Sequence, residues 1–387
     1  MTEPHSTTTL EGRIVTATGV IEHGRLTLNG ETIESVEALD STPEPGAPTF
    51  VPGFVDIHNH GGFGGAFPTG STEDCRKAAA YHLSRGTTTL VASLVSATEE
   101  EITAQVERLA PLVDDGTIDG IHLEGPFINP CRCGAQAPSR IQEGDPEMFA
   151  RILEAAGGRV KSITLAPETA HLPELLELCA RYRVIASYGH SDADAPTTHA
   201  ALAAARESGA VVTATHLFNA MPQIHHRDPG IAAAMINAAA DGTAAAELVA
   251  DGVHLADETV DFVVASAPEH SFAVTDSMEA AGLPDGAYRL GPLEVTVAEG
   301  VARLTEGGAI AGGTSTLYDQ YLRFAARHGE VAAVRFTATN ATEVFAKVSD
   351  SLLGGDLVPG ARADIVALHP NNQIAAVYHR GKEVSLT

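Results

Sequence analysis

Eight apolar, strand-like segments alternate with helical, often alanine-rich stretches through the middle of this chain. In chain order they read FVDIHNH, TTTLVASLV, IDGIHLEG, VKSITLAPE, RVIASYGH, VVTATHLFN, AAAELVADGVHL and SFAVTDSM. Strands that are apolar throughout and alternate with helices are typical of a parallel sheet covered on both faces. Eight such units favour closure over an open sheet, so we predict an α/β fold with a (β/α)8 TIM-like barrel.

The two ends of the chain carry a different pattern. Residues 1–52 contain short β-rich segments broken by Gly, Pro and Asn, and the stretch from about Ser351 contains three similar runs. We therefore expect a small β-sandwich domain built from both chain termini, 1–52 and 351–387, beside a catalytic barrel of 53–350. After the eighth segment, YRLGPLEVTVAEGVARL predicts an inserted hairpin.

Composition excludes some classes of function. The 387 residues include 24 Lys and Arg against 50 Asp and Glu, for a formal net charge of −26. Such an acidic chain does not favour nucleic-acid binding, which needs basic patches. No apolar run approaches ~20 residues, and no basic segment precedes an apolar one near the N-terminus. We therefore expect a cytoplasmic protein with no membrane segment.

Candidate metal ligands stand where the strand-like segments end. They are His58, His60, Glu124, His190 and His216. A parallel barrel gathers the C-terminal ends of its strands at one face, so residues far apart in sequence converge there. His58 and His60 are two apart on a strand and can reach one metal. A carboxylate ending a buried strand, as Glu124 does, is costly unless it is paired or metal-bound, and its two oxygens could bridge two cations.

Asp276 ends the eighth segment and is the best acid–base candidate. An aspartate near a metal can take a proton from water and return it to a leaving amine. Each candidate also has a structural interpretation: the histidines as core or loop groups, Glu124 in a salt bridge, Asp276 as a cap. Their shared position at strand ends favours a metal-dependent hydrolase.

Two further segments offer binding groups. Asn219, His226 and Arg227 lie in NAMPQIHHRDPG, and His254 lies in ADGVHL. The fork of an arginine suits phosphate, whereas solvated loop polarity also explains His225 and His226. Because charges are screened beyond ~8 Å, an anionic substrate of this acidic chain needs local cations.

The cysteines do not suggest a disulfide framework in a chain of this length. Cys131 and Cys133 lie together in NPCRCGAQAP, whereas Cys75 and Cys179 are isolated. A zinc clip would need a second Cys or His pair of matching spacing, which the sequence lacks. We expect free thiols in a mobile loop.

Several motifs resemble the amidohydrolase superfamily and, within it, the N-acetylglucosamine-6-phosphate deacetylases. They are VPGFVDIHNHG, HLEGPFINP, GHSDA, THLFNAMPQIHHRDPG, DGVHL, VTDSM, AGGTSTL and GDLVPGARADIVAL. The first and last are superfamily-wide, whereas HLEGPF, THLFNAM and HHRDPG are particular to these deacetylases. The resemblance spans nearly the whole chain. It implies that metal-activated water hydrolyses the acetamido group of N-acetylglucosamine 6-phosphate, giving glucosamine 6-phosphate and acetate.

The resemblance also implies roles by motif position. Glu124, His190 and His216 match the main metal ligands of that family, while His58 and His60 match a pair found in members with a second metal. One or two divalent ions per subunit are implied, and imidazole and carboxylate ligands accept Zn, Fe, Co or Mn.

Catalytic and substrate-binding positions follow in the same way. Asp276 matches the catalytic aspartate of the family. The positions that hold the sugar phosphate are matched by Asn219, Ala220, Arg227 and His254. Arg227 is expected to reach the partner's site across a homodimer interface.

One position departs from the family pattern. In the loop after NP the family usually has a histidine that helps to polarise the amide carbonyl, and here that substrate-binding position is Gln136. Glutamine can donate a hydrogen bond but cannot become cationic. This favours one alternative, a non-catalytic or weakly active sugar-phosphate-binding protein, which retention of Asp276 disfavours.

The other alternative is an amidohydrolase of a different N-acyl or cyclic amide substrate, or a deaminase. Cyclic amidases typically bridge two metals with a carboxylated lysine on a barrel strand. The chain has four lysines, Lys77, Lys161, Lys347 and Lys382, of which only Lys161 is near a predicted strand, at its beginning.

Overall fold

The N-terminal segment forms four strands of a sheet that stands apart from the barrel. The structure is a computed structural model that describes residues 7–385. The strands are β1 (Thr7–Val15), β2 (Val20–Asn29), β3 (Thr32–Ala38) and β4 (Thr49–Pro52). β1 pairs antiparallel with β2 and parallel with β4. Alternation along these strands buries Ile14, Leu26 and Leu28 on one face, as expected of a half-buried sheet.

Eight parallel strands form the barrel. β5 (Phe54–Asn59) leads into a tight hairpin of β6 (Gly61–Gly62) and β7 (Gly65–Ala66). The other barrel strands are β8 (Thr87–Leu94), β9 (Gly120–Glu124), β10 (Val160–Leu165), β11 (Ile185–Tyr188), β12 (Val212–Ala214), β13 (Ala245–Leu248) and β14 (Ser271–Ala273). Each pairs in parallel with the next, from β5 and β8 round to β14. The prediction of a (β/α)8 barrel is confirmed.

The barrel closes just beyond the end of β14. A parallel bridge joins Asn59 of β5 to Ser277. The His58 carbonyl accepts a hydrogen bond from the Asp276 N–H at 2.9 Å, and the His60 N–H donates to the Ser277 carbonyl at 2.7 Å. The seam between the first and last strands therefore runs through residues that the sequence singled out.

A helix follows each barrel strand. The helices are α1 (Thr72–Ser84), α2 (Glu99–Asp114), α3 (Pro146–Ala156), α4 (Leu172–Tyr182), α5 (Ala195–Ser208), α6 (Gly230–Ala240), α7 (Asp257–Ser266) and α8 (Leu317–His328). Local sequence sets where they begin: Ser71 and Asp74 form a reciprocal capping box at α1, as Thr98 and Glu101 do at α2. No helix within residues 7–385 is long and apolar enough to cross a membrane.

The insertion after β14 has one strand more than the predicted hairpin. It consists of β15 (Gly286–Leu290), β16 (Leu293–Ala298) and β17 (Val301–Leu304), paired antiparallel. The added turn lies at Glu299 and Gly300, whose φ angles are 52° and 73°. Two successive positive φ values suit a two-residue hairpin turn, but glutamate is an unusual choice for the first position.

The C-terminal segment returns to the first sheet. After α8 the chain forms α9 (Glu330–Val334), a π-helical segment (Arg335–Thr339) and α10 (Asn340–Phe345). β18 (Ile365–Leu368), β19 (Ile374–His379) and β20 (Lys382–Glu383) then complete a seven-stranded sheet, in the order β20-β19-β18-β4-β1-β2-β3. The separate β domain predicted from both termini is confirmed, with its strands in one continuous sheet. The division at 1–52 and 351–387 remains a proposal, and its outermost residues, 1–6 and 386–387, lie outside the described range.

One buried arginine joins the terminal sheet to the amino end of the barrel. The Arg362 guanidinium forms ion pairs with Asp364 at 2.6 Å and Asp119 at 3.1 Å. It also donates to the Thr88 carbonyl at 2.9 Å and the Thr89 hydroxyl at 2.7 Å. Its side chain is 2% exposed, so these partners replace water for its charge.

Candidate metal and catalytic site

Three side chains from different strands converge at the carboxyl end of the barrel. Glu124 Oε1 lies 3.0 Å from both His190 Nε2 and His216 Nε2, and the two ring nitrogens lie 3.1 Å apart. All three side chains are buried. Atoms that offer lone pairs point towards one another here, which is stable only with a proton or a cation between them.

A second set of donor atoms adjoins the first. His58 Nε2 and His60 Nε2 are 3.3 Å apart, and His60 Nε2 is 3.3 Å from Glu124 Oε2. Asp276 Oδ1 lies 3.5 Å from His58 Nε2 and 3.3 Å from His60 Nε2. Glu124 thus contacts both sets, with Oε1 near His190, His216 and His58 and Oε2 near His60, and the six side chains form one continuous cluster.

The spacing of both sets suits a metal ion. Ligands about 2.0–2.1 Å from a tetrahedral ion lie about 3.3 Å from one another. The distances in the two sets bracket this value, at 3.0–3.1 Å and 3.3–3.6 Å. The residue groups that could hold a metal ion are His58, His60 and Glu124, and Glu124, His190 and His216.

Mutual attraction controls the charges in this cluster. Burial opposes ionisation of Glu124, but hydrogen bonds from His190, His216 and His60 outweigh it and hold its pKa well below the usual range. Burial likewise opposes charging of His60, yet the carboxylates of Asp276 and Glu124 raise its pKa to about 10. The pKa of Asp276 is lowered against the effect of burial by His60 and His58. The carboxylates are therefore ionised and attract positive charge.

The backbone is strained where three of these side chains leave their strands. His190, His216 and Asp276 have φ angles of 48°, 26° and 48°, in the left-handed region that residues other than glycine rarely adopt. Gly189, just before His190, packs closely against Thr215. Any larger residue would clash there, because a Cβ at position 189 would lie 2.6 Å from Thr215 Cβ. Strain of this kind concentrates at functional sites, where it fixes the direction of side chains.

Glu247 of β13 contacts the cluster from below, and the sequence analysis missed it. Its Oε2 lies 3.2 Å from His58 Nδ1, and its Oε1 accepts hydrogen bonds from Ser187 and Thr213 at 3.1 and 3.0 Å. Burial opposes charging of His58, but the hydrogen bond to Glu247, with Asp276 and Glu124, raises the pKa of its imidazole. The only signal in the sequence was a glutamate inside the apolar run AAAELVA.

Glu247 ends a belt of hydrogen bonds that crosses the barrel interior. From β8 round to β13 its members are Ser93, His122, Thr164, Thr215, Ser187 and Glu247, with successive distances of 2.9, 2.9, 2.9, 2.6 and 3.1 Å. Burial, reinforced by the nearby His58 charge, lowers the pKa of His122 well below its usual value, so that ring is neutral. The belt satisfies polar groups directly beneath the ligands.

Asp56 fastens the barrel seam beside the site. Its carboxylate accepts from the Thr275 hydroxyl at 2.5 Å, the Thr275 N–H at 3.2 Å and the Asn59 amide at 3.0 Å. Burial raises the pKa of Asp56, although these hydrogen bonds oppose the shift. His82 of α1 lies 2.9 Å from the Gly61 carbonyl oxygen and thereby holds the turn after His60.

A cavity of about 230 Å³ opens onto the cluster. Its walls include Asn219, Ala220 and His254 among the predicted substrate-binding residues, Leu290 from β15 of the inserted sheet, and Ile310, which follows that sheet. His254 is held by Asp251, which the sequence analysis also missed: His254 Nδ1 lies 2.9 Å from Asp251 Oδ2. His254 Nε2 lies 3.8 Å from Asp276 Oδ2, so it faces the acid–base candidate across the cavity.

Gln136 lines the same cavity but also contacts the ligand cluster. Its side-chain amide donates to Glu124 Oε2, and its oxygen accepts from the Ser96 N–H at 2.7 Å. The loop is fastened once more by His190 Nδ1, which lies 2.9 Å from the Arg132 carbonyl oxygen. The position where relatives are expected to carry histidine is therefore adjacent to the candidate metal ligands.

Among the predicted substrate-binding groups, Arg227 and its neighbour His226 lie away from this cavity. Arg227 is exposed, is not among the lining residues, and its Nη1 lies 2.8 Å from Nε2 of the exposed His226. The four cysteines are free, with Cys131 exposed. Lys161 lies at the beginning of β10 and donates to the Val348 carbonyl, so it does not supply a carboxylated bridge between metals.

Comparison with known proteins assigns the family. The family model described as Amidohydrolase family matches residues 49–384. The chain belongs to this family, whose members depend on metal ions, and the resemblance inferred from its motifs is confirmed.

Individual relatives carry more specific names than the family as a whole. The chain is 32% identical to the N-acetylglucosamine-6-phosphate deacetylase of Bacillus subtilis (strain 168), over 95% of this chain and 94% of that protein. It is 28% identical to the N-acetylgalactosamine-6-phosphate deacetylase of Escherichia coli O157:H7, over 96% of this chain and 98% of that one.

A solved structure agrees with these relatives. A mutant of the Mycobacterium smegmatis N-acetyl-D-glucosamine-6-phosphate deacetylase, in complex with N-acetyl-D-glucosamine-6-phosphate, is similar with a TM-score of 0.89 and 36% identity. The match covers 98% of this chain and 99% of that one.

Proposed function

We propose that this chain hydrolyses the acetamido group of N-acetylglucosamine 6-phosphate, releasing glucosamine 6-phosphate and acetate. The observation that carries the proposal is the cluster centred on Glu124, with Asp276 beside it at the wall of a cavity, in a chain whose relatives are deacetylases of this substrate class. An ionised cluster of this kind, buried without Lys or Arg in its recorded ion pairs, is suited to a metal-assisted hydrolase.

The metal ligands follow from the two donor sets. Glu124, His190 and His216 would hold one divalent ion, and His58, His60 and Glu124 would hold another. Zn, Fe, Co and Mn all accept such ligands. A bound ion would lower the pKa of water and polarise the acetyl carbonyl.

Asp276 moves the proton. Its low pKa keeps the carboxylate ionised, so it can accept a proton from the attacking water. The same proton is then returned to the sugar nitrogen, which is otherwise a poor leaving group. His254 Nε2, 3.8 Å from Asp276 Oδ2, is placed to hydrogen-bond substrate beside that carboxylate.

The remaining groups select and orient the sugar. Asn219, Ala220 and His254 line the cavity, and Gln136 offers an amide hydrogen-bond donor where relatives are expected to offer imidazole. The 6-phosphate needs a cation, which Arg227 supplies from the other subunit of a homodimer. Its exposed position outside its own cavity supports this assignment.

An activity assay tests the proposed substrate. Purified protein supplied with each candidate metal is assayed for free amine from N-acetylglucosamine 6-phosphate, with N-acetylgalactosamine 6-phosphate and unphosphorylated N-acetylglucosamine for comparison. The proposal requires the first to have the highest kcat/KM. Tight binding without turnover would instead establish a sugar-phosphate-binding protein, in keeping with Gln136.

Mixing variants tests the dimer. Arg227→Ala should raise KM for the phosphorylated sugar strongly and barely alter activity on the unphosphorylated one. When Arg227→Ala and Asp276→Asn subunits exchange, one site of each mixed dimer regains both groups and activity recovers in part. Absence of recovery in demonstrably mixed dimers would rule out the action of Arg227 across the interface.

A further inference from the structure

Glu247 is a buried carboxylate that no step of the proposed reaction uses. It is 2% exposed and lies in the middle of a barrel strand, below the donor atoms rather than at the cavity. An ionised carboxylate at such a position is costly unless it is paired. Its only ion-pair partner among the described residues is His58, whose Nδ1 lies 3.2 Å from Oε2.

The surroundings of Glu247 determine which oxygen meets His58. Oε1 accepts from the Ser187 and Thr213 hydroxyls at 3.1 and 3.0 Å. Oε2 is left for His58 and for the His216 N–H, which is 3.4 Å away. Because an ionised carboxylate only accepts hydrogen bonds, Nδ1 of His58 must carry the proton, and the lone pair is at Nε2. That nitrogen faces His60, Glu124 and Asp276.

The four histidines of the cluster differ in how their outer nitrogens are held. His190 Nδ1 meets the Arg132 carbonyl oxygen, and His58 Nδ1 meets Glu247. The Nδ1 atoms of His60 and His216 have no hydrogen-bond partner among residues 7–385. Among residues 7–385, Glu247 is therefore the only charged group that meets the outer nitrogen of one of these four histidines, and it acts on one side of the cluster alone.

Charge balance points the same way. Glu124, Asp276 and Glu247 bring three negative charges, and none of the ion pairs recorded for them in the described part of the chain involves Lys or Arg. Divalent ions bound by the histidines would offset these charges. A carboxylate behind a metal-binding histidine also fixes its ring and raises its basicity.

We propose that Glu247 is a positioning residue that orients the His58 ring, with its Nε2 lone pair free, for a second divalent metal, leaving the Glu124–His190–His216 set independent of it. The inference rests on the metal-dependent function proposed above but concerns metal occupancy rather than turnover. Loss of Glu247 should lower the affinity for the second metal about 10- to 100-fold, the range typical of groups that hydrogen-bond a metal-binding histidine from behind. The first metal should be unaffected.

Metal titration of the apoprotein tests this. Zn²⁺ binding is followed by competition with a chromogenic chelator, and occupancy after equilibrium dialysis is measured by elemental analysis. Glu247→Gln should keep the tighter metal and lose affinity for the weaker one, towards the one-metal behaviour of a His58→Ala, His60→Ala double variant. Thr164→Val is the matched control, since it removes a buried group of the same belt that contacts neither Glu247 nor His58. It should retain two metals.

Three results would overturn the proposal: wild-type affinities in Glu247→Gln, equal weakening of both metals, or a wild-type protein that holds one metal at saturation. If Glu247→Gln does not fold, Glu247→Asp decides, because its shortened carboxylate should still weaken only the second metal. If the proteins bind metal as expected but the wild type does not hydrolyse the substrate, the proposed reaction is wrong and the role of Glu247 in metal binding still stands.

Discussion

The two ends of the barrel both bury charge, but they neutralise it differently. At the amino end, Arg362 brings its own positive charge to Asp119 and Asp364 and donates to Thr88 and Thr89. At the carboxyl end, carboxylates and imidazoles face one another at 3.0–3.6 Å, and within residues 7–385 no Lys or Arg forms an ion pair with them.

The difference separates structure from function. Arg362 is a permanent cation that joins two parts of the fold, and its carboxylate partners need no bound ion to neutralise them. A cluster that lacks one is completed by a proton or a metal ion, and its strained φ angles at His190, His216 and Asp276 show that folding alone does not favour it. Variants at each end should therefore change different observables.

The largest effect is expected for Glu124→Gln. The variant loses the carboxylate shared by both donor sets, so most bound metal and at least about 10³-fold in kcat/KM should disappear. Elemental analysis and the amine assay measure both, with the exposed Glu143→Gln as control. Full metal occupancy in Glu124→Gln would show that the cluster is not the metal site.

Asp276→Asn should separate proton transfer from metal binding. The fold, the metal held by Glu124, His190 and His216, and KM should persist, while kcat falls ~10²–10⁴-fold, as is typical for a positioned acid–base group. Steady-state kinetics with metal analysis of the same samples provides the test. If kcat is nearly normal, another group carries the proton.

Arg362→Met should affect stability and leave the site alone. Removal of the guanidinium leaves Asp119 without its cation and Asp364 with His379 alone, which costs about 3–5 kcal/mol of the free energy of unfolding. Urea denaturation measures it. The exposed Arg335–Glu269 pair provides the control, since Arg335→Met should cost less than about 1 kcal/mol. An unchanged unfolding midpoint, or lost metal binding by folded protein, would contradict the contrast between the two ends.

The smallest expected effect is the release of a proton when metal binds. In the metal-free protein the His60 pKa is about 10, so its imidazole is protonated at pH 8, and a metal ligand must be neutral. Metal uptake should release about one proton from this residue, and affinity should rise with pH until it approaches that pKa. Calorimetric titration in two buffers of different ionisation enthalpy measures the release. Buffer-independent heats would count against His60 as a ligand.

The sequence predicted the barrel because its signal is redundant. Eight apolar runs of strand length each end in a polar loop, and the structure brings His58, His60, Glu124 and Asp276 together where those strands end. A register error of one residue would turn His58 and His60 together to the other face of the strand, so the H-x-H spacing carries geometry as well as chemistry.

The sequence could not reveal what supports the site. Glu247 lies in a strand that is buried on both faces, so no alternation shows whether its side chain points inward. Asp251 and His254 are three residues apart in a loop, where contact depends on the turn between them. The hydrogen bond from Gln136 to Glu124 likewise depends on how a loop folds back over a distant strand.

The barrel seam has a consequence for the order in which the site matures. Glu124, His190 and His216 come from β9 and the ends of β11 and β12, in the middle of the chain. His58 and Asp276 meet only where the first strand joins the segment after the eighth, through the bridge between Asn59 and Ser277. During synthesis the contact of Asp276 with His58 and His60 is therefore the last part of the cluster to be assembled. A nascent or truncated chain that ends before Asp276 lacks the acid–base candidate, so we expect hydrolysis to begin only when the barrel has closed.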